Sequence, residues 1–220
     1  MHNELTHQRS DYSMIALAGL IVITLIAAAV LIIGYGTSWG GRLKIAQAAT
    51  TVGSATGTTN ATLNLTIMTG GMLGPGSQGP AYVPSNFTVP AYSTISVTVT
   101  DFDTATPLTG ALTKFAKVTG TVGDVAQVQA INPQSPNTTI GPIKTIGRLN
   151  PTLVAHTLTV PALGINVPMA GQARTTFTIK TGKPGKYLWQ CMDPCGSGAN
   201  GFGAPMGENG FMAGFITVAG

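Results

Sequence analysis

The stretch Tyr187-Leu-Trp-Gln-Cys191-Met-Asp-Pro-Cys195-Gly196 places two cysteines four residues apart, directly after a short aromatic segment. The aromatic segment indicates a β-strand that leads into the first thiol. Pro194 favours an extended conformation at Asp193, which suits either of two structures. One is a loop that binds copper through its thiolates, and the other is a small turn closed by a disulfide.

Short alternating segments elsewhere in the chain predict a domain built from β-strands. The predicted strands cover residues 63–67, 87–90, 94–100, 156–160, 175–179, 187–189 and 215–218. Charged residues make up 8% of the chain, which disfavours surface helices because their exposed faces normally carry Glu and Lys. Strands of four to seven residues separated by turns favour an antiparallel sandwich or barrel.

An apolar segment over residues 14–35 is long enough to cross a bilayer and is the candidate membrane anchor. A cleaved signal peptide is the alternative, but the apolar run is long for a signal, and the small-residue site at 46–48 lies far from it. The predicted organisation is therefore a short tail over residues 1–13, the anchor, a flexible linker over 36–60 and one domain over 61–220.

The charges near the anchor conflict with the composition of the domain. Arg9 precedes the anchor while Arg42 and Lys44 follow it, a count that favours a cytoplasmic domain. The charge-poor domain with its closely spaced cysteines favours the opposite side, so we predict a single-pass membrane protein with an extracytoplasmic C-terminal domain. The formal net charge of +4 comes from scattered residues without a basic cluster, so nucleic-acid binding is not predicted.

Three segments resemble the cupredoxin superfamily. Residues 156–168 and 184–196 resemble the copper-binding domain of cytochrome c oxidase subunit II, and residues 83–99 resemble the opening strands of that fold. The resemblance covers residues 61–103 and 152–220, leaving 104–150 as an insertion. It implies an all-β, cupredoxin-like Greek-key β-sandwich, here with one N-terminal transmembrane helix.

The resemblance also implies a set of copper ligands. The subunit II loop reads Cys-x3-Cys-x3-His-x2-Met and holds two coppers bridged by both thiolates. Matched to this chain, His156, Cys191, Cys195 and Met212 are the candidate ligands. Two further candidates are Asp193, through its backbone carbonyl, and Met206.

The second histidine of that loop is missing. Asn209 stands three residues before Met212, where the resemblance requires an imidazole, and the other histidines, His2 and His7, precede the predicted anchor. With one imidazole, Cu(I) bound by soft sulfur is easier to justify than a reversible binuclear centre.

Three functions remain open at this stage. The first is copper-dependent electron transfer in association with a respiratory oxidase or another membrane complex. The second is a metal-free structural or partner-binding role, in which Cys191 and Cys195 form a disulfide and the loop over 196–210 contacts a partner subunit. The third is copper delivery, which would use the same sulfurs with a labile metal.

An independent catalytic activity is not predicted. A Cys–His nucleophile pair needs a third group that orients the base, and the sequence identifies none. Asp101, Asp103 and Asp124 lack the spaced oxygen ligands of a calcium loop.

Overall fold

The computed structural model describes residues 50–51, 60–196 and 201–220. The predicted tail over 1–13 and the predicted anchor over 14–35 lie outside these residues, as does the predicted linker over 36–60 apart from Thr50, Thr51 and Asn60. Within the described part of the chain, no helix is long and apolar enough to span a membrane.

The described residues are mostly β-strand. The strands are β1 (Thr50–Thr51), β2 (Asn60–Met68), β3 (Ala81–Val83), β4 (Phe87–Pro90), β5 (Thr94–Asp101), β6 (Ala126–Asn132), β7 (Ser135–Ile146), β8 (Val154–Val160), β9 (Ile165–Ala170), β10 (Ala173–Lys180), β11 (Gly185–Gln190) and β12 (Ala213–Ala219). A single α-helical turn among them, α1, covers Gly70–Leu73. Short 3₁₀ helices cover Gly110–Ala116, Val122–Asp124, Pro151–Leu153, Pro161–Leu163 and Ala204–Met206.

The strands form two six-stranded sheets that enclose one apolar core. One sheet has the order β1-β4-β12-β11-β8-β9, and the other has the order β3-β2-β5-β10-β6-β7. Trp189 and Ile216 from the first sheet pack in the same core as Leu65, Val97 and Phe177 from the second. The predicted all-β sandwich is confirmed for this part of the chain, whereas the predicted transmembrane helix lies outside it.

Most strand pairs run antiparallel, as expected, but three neighbouring pairs run parallel. These pairs are β1 with β4, β4 with β12, and β2 with β5. The chain changes sheet between β3 and β4 and again between β4 and β5. Neighbouring strands therefore arrive by crossovers as well as by hairpins, and a crossover allows parallel pairing.

Alternation along β5 determines which of its side chains face the core. Ile95, Val97 and Val99 are buried, since successive side chains of a strand point to opposite faces. The same alternation places Asp101, the last residue of β5, on the buried face. An acidic side chain therefore reaches the core at the end of this strand.

A β-bulge in β8 lies where the strand approaches the cysteine loop. Val154 pairs with Ala170 and His156 pairs with Met169, which leaves Ala155 as the extra residue on β8. All seven residues of β8 are buried. Because a bulge bends the strand and re-aims the side chains beside it, this irregularity helps to direct His156.

The segment over 104–150, predicted to be an insertion, contains two of the 3₁₀ helices and the hairpin of β6 and β7. β6 pairs with β10, so the hairpin extends the second sheet at its edge. A second, smaller apolar cluster joins this segment to the sandwich, with Leu108 and Ala116 packed beside Val154 and Ala170.

Candidate metal centre

Cys191 is positioned by the pairing of the last two strands. β11 ends at Gln190, which pairs with Ala213 at the start of β12. The backbone N–H of Cys191 then donates to the carbonyl of Met212 at 2.8 Å, which continues the strand pairing by one residue. Cys191 is completely buried as a result.

A tight turn brings the second cysteine back toward the first. The backbone N–H of Cys195 donates to the carbonyl of Asp193 at 2.8 Å. The Sγ atoms of Cys191 and Cys195 lie 3.6 Å apart, and both residues are free cysteines. Cys195 is partly exposed.

His156 completes a compact set of donors with the two cysteines. Its Nδ1 lies 2.9 Å from Sγ of Cys195 and 4.0 Å from Sγ of Cys191. The nitrogen and the two sulfurs lie within 4.8 Å of one another. Only 1% of the His156 surface is exposed, so the imidazole approaches the sulfurs from inside the sandwich.

Backbone groups surround the two sulfurs. The N–H of Thr157 donates to Sγ of Cys191 at 3.3 Å. The carbonyl oxygen of Asp193 lies 3.1 Å from Sγ of Cys195, and the carbonyl oxygen of Ala155, at the bulge, lies 3.5 Å from the same sulfur. The backbone thus offers one donor to the first sulfur and two oxygens close to the second.

The second ring nitrogen of His156 contacts Asp103, a residue that the sequence did not identify as part of the site. Nε2 lies 3.2 Å from Oδ2 of Asp103, whose side chain is 27% exposed. The nearest sequence signal was the pair of aspartates at the end of β5, Asp101 and Asp103, but 53 residues separate Asp103 from His156. The orienting group that a Cys–His nucleophile needs is therefore present, although the buried imidazole has little exposed surface for a substrate.

Burial and mutual contacts shift the pKa of all three groups of the metal-free cluster. Burial alone would lower the pKa of His156, but its contacts with Asp103 and Cys191 outweigh burial and raise this pKa to about 10. Burial also opposes ionisation of Cys191, yet hydrogen bonds with Cys195 and His156 hold its pKa well below the usual range. The pKa of Cys195 is raised, first by its hydrogen bond to Cys191 and then by burial. Contacts within the cluster therefore favour the charged form of His156 and make one cysteine of the pair ionise more readily than the other.

Buried carboxyl groups close to the cluster stay protonated more readily than usual. Burial raises the pKa of Asp101 to about 7. Burial, and next the negative charge of Cys191, raise the pKa of Asp193 to about 8. Both carboxyl oxygens of Asp193 and one of Asp101 are buried without a hydrogen-bond partner, as is the hydroxyl of Tyr82.

The remaining sequence candidates take different positions. Met212 and Met206 are both fully buried and belong to the same apolar core as Cys191. Met212 is tied to the cluster through its carbonyl, whereas the carbonyl of Met206 accepts a hydrogen bond from Gln190 Nε2 at 3.1 Å. Asn209 is exposed, so its side chain does not replace an imidazole within the buried cluster.

The donor set fits copper. Two thiolate sulfurs and one imidazole nitrogen are ligands that copper accepts, and soft sulfur favours Cu(I) in particular. The three atoms already converge in a buried position, so binding would require deprotonation of the ligands and little movement of the chain.

No family model matches the chain, and no curated protein matches it. Among solved structures, it is similar to reduced auracyanin from Roseiflexus castenholzii, at 16% identity and a TM-score of 0.32 over 74% of this chain and 100% of that chain. It is also similar to rusticyanin from Thiobacillus ferrooxidans, at 16% identity and a TM-score of 0.31 over 82% of this chain and 90% of that one. A third similar structure is a chain of a haem-copper terminal oxidase dimer, at 15% identity and a TM-score of 0.31 over 96% of this chain and 99% of that chain.

Proposed function

We propose that this chain is a copper-binding electron-transfer protein. One observation carries the proposal: Nδ1 of His156 and the sulfurs of Cys191 and Cys195 lie within 4.8 Å of one another in a mostly buried position. Copper bound to thiolate and imidazole ligands exchanges one electron between Cu(I) and Cu(II).

The protein's own groups suit that chemistry because they are held in place before any metal binds. Strand pairing fixes Cys191, and the N–H of Thr157 stabilises negative charge on its sulfur. Burial of His156 and Cys191 limits the access of water to the ligands. Ligands that move little between oxidation states lower the energy required for reorganisation.

The proposed location is a membrane, through residues 14–35, with the domain over 61–220 outside the cytoplasm. The apolar length of the segment and the charge-poor domain support this location. The proposed partners are subunits of a respiratory oxidase or another membrane complex, on the basis of the resemblance of residues 184–196 to subunit II.

Copper titration of the full-length reduced chain tests the proposal. We expect one tightly bound copper per chain, because one imidazole is available, together with intense thiolate-to-copper absorption. His156→Ala should abolish the absorption and leave the fold intact. A matched control is the double substitution of His2 and His7 by Ala, which should keep the absorption. A wild-type chain that has two free thiols and retains no copper would contradict the proposal.

Two alternatives use the same residues. The 3.6 Å contact between the sulfurs favours, as second candidate, a metal-free structural or partner-binding protein with a Cys191–Cys195 disulfide. Absence of free thiols in the untreated protein would support that role. Copper delivery is the third candidate, and it would be indicated by rapid transfer of Cu(I) to a chelator through the partly exposed Cys195.

A further inference from the structure

We infer that Asp103 is a positioning residue of this copper site: its carboxylate holds the proton of His156 on Nε2 and so directs Nδ1 toward the two cysteines. The inference rests on the proposed function. It adds a residue outside the ligand set, from a segment far away in the sequence.

The ring of His156 is held from both sides. Oδ2 of Asp103 lies 3.2 Å from Nε2, and Sγ of Cys195 lies 2.9 Å from Nδ1. These two contacts fix both the plane and the direction of the ring. A metal-bound imidazole must be neutral and must present a lone pair to the metal, so its other nitrogen has to carry the proton. An ionised carboxylate can accept hydrogen bonds but cannot donate them. Asp103 therefore selects the form of His156 that carries its proton on Nε2.

Asp103 is itself held by a network of hydrogen bonds. Its backbone N–H donates to Oδ1 of the buried Asp101 at 2.8 Å, and its own Oδ1 accepts from the N–H of Thr104 at 2.8 Å. Its carbonyl accepts from the N–H of Gln172 at 2.9 Å. With Oδ1 already occupied, Oδ2 is the oxygen directed to the imidazole.

A close approach of two backbone segments allows this placement. A Cβ atom added to Gly171 would lie 2.6 Å from the backbone nitrogen of Ala105 and 3.1 Å from the carbonyl oxygen of Asp103. The turn between β9 and β10 can therefore pack against the segment that follows β5 only because residue 171 has no side chain. Because β9 pairs with β8, this contact brings the backbone at Asp103 close to β8.

An Asp103 that only stabilised the fold would not select a particular ring tautomer. Asp103→Asn separates the two roles, because the amide has one oxygen and one NH₂ group. If the oxygen accepts from Thr104, the NH₂ faces Nε2, which must then give up its proton. If the oxygen faces Nε2, the N–H of Thr104 loses its acceptor. Either arrangement breaks one bond of the network.

The test uses the full-length chain with His2 and His7 replaced by Gln, so that His156 is the sole histidine. With Cu(I), which is diamagnetic, nitrogen-15 NMR should show a protonated Nε2 with a slowly exchanging proton and a metal-bound Nδ1. A metal-bound Nε2 would overturn the inference without any variant. Failure of this protein to bind Cu(I) would instead overturn the proposed function.

Asp103→Ala in the same background removes the acceptor of Nε2 altogether, so it should weaken Cu(I) binding by about 10–100-fold and remove the protected Nε2 proton. Asp103→Asn should also weaken binding, because either orientation of its amide breaks one bond of the network. Asp124→Asn is the matched control, since Oδ1 of exposed Asp124 also accepts a backbone N–H, from Gly120 at 2.8 Å. That control should change Cu(I) affinity by less than about twofold. Equal affinity and an unchanged proton signal in both Asp103→Ala and Asp103→Asn would refute a positioning role.

Discussion

Each of the three donor atoms is held in place by a different local feature of the backbone. Strand pairing to Met212 fixes Cys191, a three-residue turn from Asp193 fixes Cys195, and the bulge at Ala155 directs His156. The charges of the cluster follow from burial and from these contacts. Substitutions of side chains in and beside the cluster should therefore change copper binding or stability.

The two buried methionines should differ in their effect on copper. Met212→Leu should raise the reduction potential, because loss of a weak thioether donor destabilises Cu(II) more than Cu(I). Met206→Leu is the control and should leave the potential unchanged, since its backbone contacts Gln190 rather than the cluster. Each volume-conserving change should cost less than about 1.5 kcal/mol of stability. Redox titration measures the reduction potential of each variant. Equal changes in potential in the two variants would count against Met212 as the ligand.

Asp101 should make the stability of the metal-free protein depend on pH. Burial raises its pKa from 3.8 to about 7, so between these values the folded chain retains a proton that the unfolded chain releases. Protonated Asp101 thus adds to the free energy of unfolding. This stabilisation is fully present below about pH 4 and declines as the pH rises to about 7, and above that pH it changes no further.

Asp101→Asn should remove this part of the pH dependence, because the amide does not titrate and still accepts from the N–H of Asp103. The stability difference, variant minus wild type, should rise by up to about 4 kcal/mol from pH 4 to pH 8. Urea unfolding of both metal-free proteins at several pH values measures it. A difference that is constant with pH would show that Asp101 ionises normally in the folded state.

At the scale of strands and turns, the site lies where several elements end. β5 ends at Asp101, β11 ends at Gln190 and β12 begins at Ala213. The indole N–H of Trp189 in β11 donates to the carbonyl of Ser85 at 2.7 Å, which ties the segment before β4 to the penultimate strand. Tyr82 packs edge-on against the same indole, with ring centroids 4.7 Å apart.

Gly214 should be the position in β12 that tolerates a side chain least. A Cβ added there would collide with the carbonyl oxygen of Ser85 and lie 2.7 Å from the indole nitrogen of Trp189. Gly214→Ala should therefore cost about 3 kcal/mol or more, since it overpacks the core and disrupts a buried hydrogen bond. Gly207→Ala is the control, because a Cβ at Gly207 meets nothing within 4 Å. Urea midpoints of the two variants that agree within error would contradict this account.

At the scale of the whole molecule, the described residues form a sandwich whose second sheet is extended by the β6–β7 hairpin. The hairpin comes from the segment that the family resemblance does not match. Its strand β6 nevertheless pairs with the central strand β10. The segment is therefore part of the sheet and not only a loop attached to it.

The apolar segment over residues 14–35 should attach the whole protein to a membrane. The full-length chain should remain in the membrane fraction after alkaline extraction, because a 22-residue apolar segment over 14–35 is long enough to span a bilayer. Deletion of residues 14–35 should release the protein. Recovery of the protein in the soluble fraction would show that the segment is cleaved, if the chain is shortened, or does not insert, if the chain is full-length.

Local pattern was enough to predict the β class, most core strands and the cysteine pair, because alternation and aromatic content reflect which strand face is buried. Positions 63–67, 94–100 and 175–179 all lie within observed strands, β2, β5 and β10. The family resemblance indicated four donors, and the structure brings three of them together, namely His156, Cys191 and Cys195, whereas Met212 meets Cys191 through its backbone carbonyl. Nothing local revealed the parallel pairs or the pairing of β6 with β10, since both depend on where the chain crosses between sheets.

The role of Asp103 likewise required the tertiary structure. Its contact with His156 joins the end of β5 to β8 across 53 residues, and the close approach at Gly171 makes it possible. The charge state of the cluster has the same origin, because burial and contacts between distant segments set each pKa. The sequence of this protein determined which residues are available as donors. Only the packing of the two sheets decided how far apart these donors lie, which of them are protonated and which carboxylate orients the imidazole.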